Sequence, residues 1–338
     1  MITTICYRQD TGFRKEIEPH EISDLLDKKG NLLWIDATDP SFEEIQLLQE
    51  ELGLHPLAIE DLNVRYDRPK IEEYDSTYYM VVYAAREATR QIDETLGYSV
   101  MGVDFQRLNL FVGRNFLLTI HDKPFKEVNE VLARWERNSQ GMDTDVGIPV
   151  YSLLDSLVDN FFPVIDDIAD RVDEMEDKIF EGADQQVLRS IFVLKKDLLS
   201  FRRLASPLRD VVNVLLRGDI PIFAEKSSTY FRDVYDHLVR IIDSIDTYRD
   251  LMSNALDTYL SVTSNKLAEN SNRLNITMQT LTAWSIMLMS AGIIAGIYGM
   301  NFKYMPELSW FFGYPFALLL ITSIWVVFIV YFKRMKWL

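Results

Sequence analysis

Side chains that can contact a cation recur at helical spacing near residue 280 of this 338-residue sequence. They are amides, hydroxyls, thioethers and glycines, spaced by three or four residues, which places them on one side of a helix. Such a face is typical of a narrow, water-accessible path without fixed charge. The alternative is a GxxxG contact between helices, with the polar groups as interhelical hydrogen bonders. This stripe consists of Asn275, Met278, Thr282, Ser285, Met289, Gly292 and Gly296.

Carboxylates dominate a second region, because eleven of them fall between Asp155 and Asp184, against only Arg171 and Lys178. One interpretation is a solvated helical face. The other is an electrostatic collector that raises the local cation concentration and holds divalent ions weakly through oxygen ligands. The net charge of −16 argues against nucleic acid and anionic lipid as partners of the soluble region.

Signatures of catalysis are missing from the sequence. It contains no phosphate-cradling glycine loop, no HExxH and no GxSxG, and its four histidines are scattered. The single cysteine, Cys6, fits a reducing compartment. We therefore expect a protein that is not an enzyme and that has no organic cofactor.

Two uncharged segments near the end of the chain are long enough to cross a lipid bilayer, which takes about 20 residues. No Asp, Glu, Lys or Arg occurs in 274–302 or in 308–332. Basic residues stay on the cytoplasmic side of a membrane, and here they follow the second segment. Both termini are expected to be cytoplasmic and the connecting loop external, in a multi-pass protein of the cell (inner) membrane. The basic residues of the tail are Lys333, Arg334 and Lys336.

Short β-rich runs end near residue 125, and helical patterns follow. Ser41, with Glu44 three residues later and Gly53 beyond, predicts a capped helix. Residues 222–291 contain neither glycine nor proline, which predicts one continuous helix entering the first span. Its apolar seam, which includes Val234 and Met252, suggests a parallel bundle of identical copies. The predicted segments are an α/β domain (1–125), an acidic helical region (126–221), a stalk helix (222–278), a first transmembrane helix (279–299), an external loop (300–311), a second transmembrane helix (312–332) and a basic tail (333–338).

The sequence IYGMNF at 297–302, followed by MPEL and a second span ending in YFKRMKWL, resembles the CorA family of magnesium and cobalt transporters. The stretches WIDATDP, LGLHPLAIEDL, RPKIEEY and YFRDVYDH extend the resemblance over most of the chain. The family implies an α+β membrane protein, in which a homopentameric funnel has cytoplasmic α/β domains. It also implies a stalk helix that is continuous with a pore-lining first span, and an outer ring of second spans.

The resemblance also assigns roles to individual residues. Gly299, Met300 and Asn301 are the signature, and five Asn301 amides would ring the external mouth. Neutral oxygens can hydrogen-bond hydrated Mg²⁺ without stripping its water. Asn275 and Gly292 match pore-facing positions. The narrow apolar gate is matched by Met278, Leu281 and Met289.

Regulation by intracellular Mg²⁺ bound between protomers is implied as well, so Mg²⁺ is expected both as transported ion and as regulatory ligand. Asp233 is the expected regulatory ligand, one helical turn from His237. The alternative for Asp233 is an ordinary ion pair. Its partner from the α/β domain is uncertain, with Glu87 and Asp93 as candidates.

One departure from the family lies in the loop, where Lys303 stands in place of an acidic residue and, with Glu307, leaves the loop near neutral. We expect a gated influx channel for Mg²⁺, with cobalt and nickel as further ions. The alternatives are a zinc or cobalt transporter of the same fold, and a membrane-anchored divalent-cation sensor or scaffold.

Overall fold

A computed structural model describes residues 1–8, 12–15, 17–63, 68–87, 91–93, 98–100, 103–137, 145–182, 185–218, 220–223 and 225–337. The chain forms two compact units, Met1–Thr258 and Tyr259–Leu338.

The first unit begins with a seven-stranded sheet in the order β2-β1-β3-β9-β8-β5-β4. Neighbouring strands are antiparallel except for β3 and β9, which run parallel. A separate two-stranded sheet joins β6 and β7. The strands are β1 (Ile2–Arg8), β2 (Gly12–Arg14), β3 (Asn31–Thr38), β4 (Lys70–Tyr74), β5 (Thr77–Glu87), β6 (Gln91–Asp93), β7 (Tyr98–Val100), β8 (Val103–Val112) and β9 (Phe116–His121).

Three short helices pack on this sheet: α1 (Ile22–Leu26), preceded by a 3₁₀ turn at Pro19–Glu21, α2 (Phe42–Leu52) and α3 (Pro56–Asp61). The predicted capping box of α2 is confirmed, because the Glu44 amide donates to Ser41 Oγ at 3.2 Å and the Ser41 amide donates to Glu44 Oε2 at 2.8 Å. Gly53 ends α2 with a φ of 63°, a conformation that glycine adopts without steric cost. The predicted α/β domain is therefore present at the start of the chain.

Long helices make up the rest of the described chain up to residue 298. They are α4 (Lys126–Arg137), α5 (Gly147–Asp159), α6 (Phe161–Gly182), α7 (Gln185–Leu216) and α8 (Glu225–Tyr298). Helix α7 runs antiparallel to α8, because Lys195 Nζ donates to Ser253 Oγ at 3.1 Å and Arg202 Nε donates to Asp246 Oδ1 at 2.7 Å. The predicted long helix is confirmed as α8.

The apolar seam of α8 departs from the sequence-based inference. Val234, Leu238, Ile241, Ile245 and Met252 are all 0% exposed within the single chain. The chain's own elements therefore cover this part of the seam, so it cannot be offered to identical copies. The inference of a bundle from these residues was wrong, because periodicity shows that a face is buried without showing what buries it.

The second unit contains the end of α8, the short helix α9 (Pro306–Ser309) and α10 (Gly313–Arg334). Ala283 and Met287 of α8 are buried with Phe332 of α10. Trp325 Nε1 donates to the Met287 carbonyl at 2.9 Å, and Thr280 Oγ1 donates to the Trp337 carbonyl at 3.2 Å. These contacts join the two apolar helices along one side of each.

Among the described residues, three helical segments are long and apolar enough to span a membrane by length and composition. The apolar window of the first, Gly147–Phe180, is 56% buried within the protein. The windows in Thr229–Tyr298 and Gly313–Arg334 are only 11% buried and have mean hydropathies of 1.7 and 2.4. The latter two correspond to the two spans predicted from the sequence.

The buried seam leads to a stability prediction. Met252→Ala removes a fully buried side chain and leaves a cavity, so we expect a loss of about 2 to 5 kcal/mol in the free energy of unfolding. Leu260→Ala on the same helix, where the side chain is 53% exposed, is expected to cost under about 1 kcal/mol. Denaturant unfolding followed by tryptophan fluorescence measures both, and equal losses would contradict the assignment.

Candidate functional site

Four titratable side chains from α5 and α8 converge in the first unit. Asp155 and Asp159 lie one turn apart on α5, and Asp233 and His237 lie one turn apart on α8. His237 Nδ1 is 3.4 Å from Asp159 Oδ1, and His237 Nε2 is 3.8 Å from Asp233 Oδ1. Ligand atoms of Asp155, Asp159 and His237 all lie within 4.8 Å of one another. We call these four residues the carboxylate–histidine cluster.

Aromatic rings form one wall of the cluster. The Phe162 ring meets His237 edge to face, with centroids 5.5 Å apart, and Tyr151 packs against Tyr230 at 5.1 Å. Burial raises the pKa of Tyr151, and the carboxylate charges of Asp155 and its neighbours raise it further. The rings cover only part of the cluster, because the side chains of Asp159 and Asp233 remain 57% and 63% exposed.

The cluster carries an excess of negative charge. Burial raises the pKa of Asp155, and the charges of Asp159 and Asp233 add to the effect, while His237 opposes it. His237 Nδ1 is buried and makes no hydrogen bond within the described part of the chain. A divalent cation would neutralise the repulsion and use the free ligand atoms. Carboxylates suit Mg²⁺, which keeps several of its waters, and imidazole suits cobalt, nickel and zinc.

A buried network borders the cluster. Glu127 on α4 is 0% exposed and accepts two hydrogen bonds from Arg86, at 2.6 and 2.5 Å. Asn160, the residue after Asp159, donates to Glu127 Oε1 at 3.0 Å and to the Ser156 carbonyl at 2.8 Å. The network thereby connects the end of α5 to the end of strand β5. Removing Arg86 alone would leave the buried Glu127 carboxylate without its charged partner, which is strongly destabilising.

The structure brings together Asp233 and His237, which the sequence placed one turn apart, and adds two candidate ligand residues that the sequence reasoning missed. Asp155 and Asp159 had been counted only among the carboxylates of the acidic region. A signal for them exists, because they are the only charged residues of the apolar helix α5. Glu87 is the last residue of β5, and its side chain, like that of Asp93, lies outside the described structure.

The predicted pore stripe lies on the exposed side of α8 in the second unit. The side chains of Met278, Leu281 and Met289 are 60%, 62% and 66% exposed. The opposite side of the helix, which includes Ala283 and Met287, packs against α10. The other members of the stripe are also exposed: Asn275, Thr282, Ser285, Gly292 and Gly296. At 3.6 residues per turn, Ser285, Gly292 and Gly296 lie about half a turn from the α10 contact, whereas Asn275 and Thr282 lie about a third of a turn from it.

Within one chain, the two glycines of the stripe contact no neighbouring helix. A Cβ atom added at Gly292 or Gly296 would meet nothing within 4 Å. The predicted GxxxG contact is therefore not made with α10, and such a contact would require another chain. The hydroxyls of Thr282 and Ser285 donate to their own helix, to the carbonyls of Met278 and Leu281 at 2.7 and 2.8 Å.

The GMN signature follows the end of α8. The Gly299 amide donates to the Ala295 carbonyl at 2.9 Å and the Met300 amide donates to the Ile297 carbonyl at 3.2 Å. Asn301 is exposed, and its side-chain amide makes no hydrogen bond among the described residues. The amide oxygen is thus free to accept from a ligand, such as the water shell of a cation.

A close backbone contact shapes the loop after the signature. A Cβ atom added at Gly313 would lie 2.2 Å from the Glu307 carbonyl oxygen, so only glycine fits there. The side chains of Lys303 and Glu307 are both exposed, and no ion pair joins them in the described loop. The basic residues that close the unit, Lys333, Arg334 and Lys336, are exposed as well.

Comparisons with known proteins cover nearly the whole chain. A family model described as CorA-like Mg²⁺ transporter protein matches residues 29–334. The cobalt/magnesium transport protein CorA of Thermotoga maritima is 32% identical over 100% of this chain and 95% of its own length.

Solved structures agree in fold. The complete CorA magnesium transporter of Methanocaldococcus jannaschii matches with a TM-score of 0.69 and 25% identity, over 99% of this chain and 98% of the other. The full-length CmaX protein matches with a TM-score of 0.71 over 99% and 97% of the two chains. At 20% identity, that second likeness shows the fold alone.

The raised pKa of Asp155 predicts how the cluster affects stability. An aspartate with a raised pKa binds its proton more readily in the folded than in the unfolded chain, so its contribution to stability falls as pH rises through that pKa. Ionised Asp155 therefore destabilises the protein near neutral pH when no cation is bound. We expect Asp155→Asn to raise Tm by about 1 to 3 °C in divalent-free buffer, and to lose most of the stabilisation that Mg²⁺ gives the native chain.

The matched control is Asp166→Asn, because Asp166 is exposed on α6 and lies outside the cluster. This variant should keep both the Tm and the Mg²⁺ response of the native chain. Thermal unfolding with and without Mg²⁺ measures each quantity. A Tm of Asp155→Asn below the native value in divalent-free buffer would contradict the repulsion argument.

Proposed function

The chain belongs to the CorA-like Mg²⁺ transporter family, and we propose that it acts as a homopentameric Mg²⁺ channel that intracellular Mg²⁺ closes. Proteins of this family are ion transporters and not enzymes, and Mg²⁺ is the transported ion. Cobalt is a further candidate ion, since the relative in Thermotoga maritima is a cobalt/magnesium transport protein. The observation that carries the proposal is the uncharged, exposed stripe of α8 that ends at the GMN signature.

Pore formation requires several copies of the chain, because two membrane helices cannot enclose a path. The stripe of α8 lies opposite the α10 contact, so copies arranged around an axis can present it to a central path while each α10 stays outside. Gly292 and Gly296 have no Cβ atoms, and this leaves room for neighbouring copies of α8 to approach. A closed ring of identical subunits also satisfies the symmetry that such assemblies adopt.

Ion entry is assigned to Asn301, with Gly299 and Met300 setting its position after the end of the helix. Mg²⁺ gives up water reluctantly, and it is recognised best by neutral oxygens that hydrogen-bond to its hydration shell. The exposed, unpaired amide of Asn301 supplies such an oxygen in each copy. The adjacent Lys303 adds positive charge to the mouth, so capture depends on the amides more than on attraction by the loop.

The gate is assigned to Met278, Leu281 and Met289. Their exposed side chains would face one another when α8 is packed around an axis. A constriction lined mainly by apolar groups excludes water, and a hydrated cation cannot pass a dewetted segment. Asn275 provides a polar group before Met278, whereas the hydroxyls of Thr282 and Ser285, between Leu281 and Met289, donate to carbonyls of their own helix.

Regulation is assigned to the carboxylate–histidine cluster. Bound Mg²⁺ would neutralise Asp155, Asp159 and Asp233 and hold α5 against α8. Without the ion, the carboxylates would repel one another and favour a different arrangement of these helices. Glu87, the last residue of β5, is proposed as the ligand from the α/β domain of a neighbouring copy.

The proposed location is the inner cell membrane, with both termini in the cytoplasm and the GMN loop outside. The support is the distribution of basic residues, because Lys333, Arg334 and Lys336 directly follow α10 and the loop contains only Lys303. In this orientation the acidic cluster samples the cytoplasmic Mg²⁺ concentration.

The role of Asn301 in ion entry leads to a prediction about transport. Asn301→Ala removes the amide that each copy contributes to the pore mouth, so we expect Mg²⁺ uptake into proteoliposomes to fall at least about tenfold. Lys303→Ala, in the same loop, should retain uptake. Fluorescent indicators inside the vesicles measure the flux, and parallel runs with cobalt and zinc rank the ions.

If native protein gives no flux and Asn301→Ala behaves identically, the chain acts as a membrane-anchored sensor or scaffold. Faster zinc than magnesium flux would favour a zinc transporter.

The proposed regulatory site leads to a prediction about inhibition of the current by internal Mg²⁺. Asp233→Ala removes one carboxylate of the cluster, so about tenfold more internal Mg²⁺ should be needed to halve the current. Asp236→Ala is the matched control, because Asp236 is an exposed residue of the same helix that lies outside the cluster. Currents from reconstituted protein at graded internal Mg²⁺ decide the outcome. An unchanged inhibition curve for Asp233→Ala would remove this residue from the regulatory site.

A further inference from the structure

A cleft of about 340 Å³ lies in the first unit, beside α7 and Arg68, which precedes β4 by two residues. Most of its lining is polar or charged, and it includes three arginines. The residues that line it are Arg68, Leu199, Arg202, Arg203, Ser206, Pro207 and Asp210. We call it the arginine cleft. Its volume falls within the range of small-molecule sites, which begins at about 300 Å³.

The lining carries three guanidinium groups against one carboxylate, in a chain whose net charge is −16. That carboxylate, Asp210, already accepts from Arg209 at 3.0 Å, and Arg209 does not line the cleft. Arg203 is exposed and forms no ion pair within the part of the chain that the structure describes. The cleft is therefore a local positive site on an acidic protein.

Neighbouring guanidiniums repel one another, because arginine stays charged at any physiological pH. A bound anion offsets this repulsion. The guanidinium fork matches phosphate oxygens with pairs of parallel hydrogen bonds, and the Ser206 hydroxyl can add another donor. We propose that the arginine cleft binds a phosphate-bearing anion, with Arg203 and Arg202 as its main ligands.

The size and charge of the cleft indicate more than one phosphoryl group. A single phosphate would leave most of the cleft volume to water. A diphosphate or the phosphate chain of a nucleotide presents enough oxygens to reach Arg202 and Arg203, which are adjacent on α7, together with Arg68 from a separate segment. Leu199 and Pro207 provide apolar surface that an organic part of the ligand could cover.

Arg202 connects the cleft to α8. Its Nε and Nη2 donate to the two carboxylate oxygens of Asp246 at 2.7 and 3.2 Å. A phosphoryl group in the cleft shares this guanidinium with Asp246, so the two anions compete for it. Anion binding and the α7–α8 contact are consequently linked, and removing the Asp246 charge should tighten anion binding. The inference does not depend on ion transport by the chain.

The test measures binding of pyrophosphate to the full-length protein in detergent, by isothermal calorimetry in magnesium-free buffer at physiological salt. We expect saturable binding that Arg203→Gln weakens about five- to tenfold. Arg189→Gln removes an equal charge from an exposed position of the same helix outside the cleft, and should stay within about twofold of the native affinity. Asp246→Asn should bind more tightly than the native chain. Unchanged thermal unfolding confirms that Arg203→Gln folds.

Three outcomes would overturn the proposal. Native protein that shows no saturable binding of pyrophosphate has no such site. Equal weakening by Arg203→Gln and Arg189→Gln would mean diffuse attraction to the surface. Citrate binding as tightly as pyrophosphate would exclude a preference for phosphoryl groups. ATP in a further titration shows whether a nucleoside adds affinity to the phosphate chain.

Discussion

The uninterrupted backbone hydrogen bonding of α8 is the constraint on which the other features depend. A break in a helix interior needs proline, a glycine or a bulge, and residues 222–291 offer neither glycine nor proline. Helix α8 therefore carries Asp233 and His237 near its start, the proposed gate near residue 280, and the GMN signature just beyond its end at Tyr298.

The environment of α8 changes along its length. Up to Tyr259, the apolar seam is buried by the chain's own elements, and a buried seam there contributes to the stability of the first unit. From Leu260 onward, large apolar side chains such as Ile276 and Leu288 are exposed in the single chain. An aqueous protein rarely exposes so many. Lipid and further copies of the chain are the two surroundings that would cover them, and an oligomer in a bilayer supplies both.

Features that depend on local interactions could be predicted from the sequence, and features that depend on tertiary packing could not. The boundaries of α2 were predictable because the capping box of Ser41 and Glu44 and the C-cap of Gly53 are local interactions. The Asp233 and His237 pair was predictable because both lie one turn apart on one helix. Asp155 was not assigned to that site, since its approach to α8 depends on tertiary packing between segments about 80 residues apart. The burial of the α8 seam by the chain's own elements was missed for the same reason. Periodicity specifies which face of a helix is buried, and it does not specify what packs against that face.

The two proposed cation sites, the carboxylate–histidine cluster and the Asn301 amides, have different ligands because an ion must stay bound much longer at the first than at the second. A regulatory ion has to remain bound while the cytoplasmic Mg²⁺ concentration is high, so ionised carboxylates with one imidazole are suitable ligands. An ion in transit must leave again within its passage time, and a ring of carboxylates would hold it too strongly. The stripe of α8 and Asn301 accordingly contain no ionisable group, and the nearest charges along the chain, Arg273 and Lys303, are both positive. The high negative charge of the first unit is consistent with the proposed uncharged pore, because the acidic residues lie at the proposed sensing site and are absent from the proposed ion path.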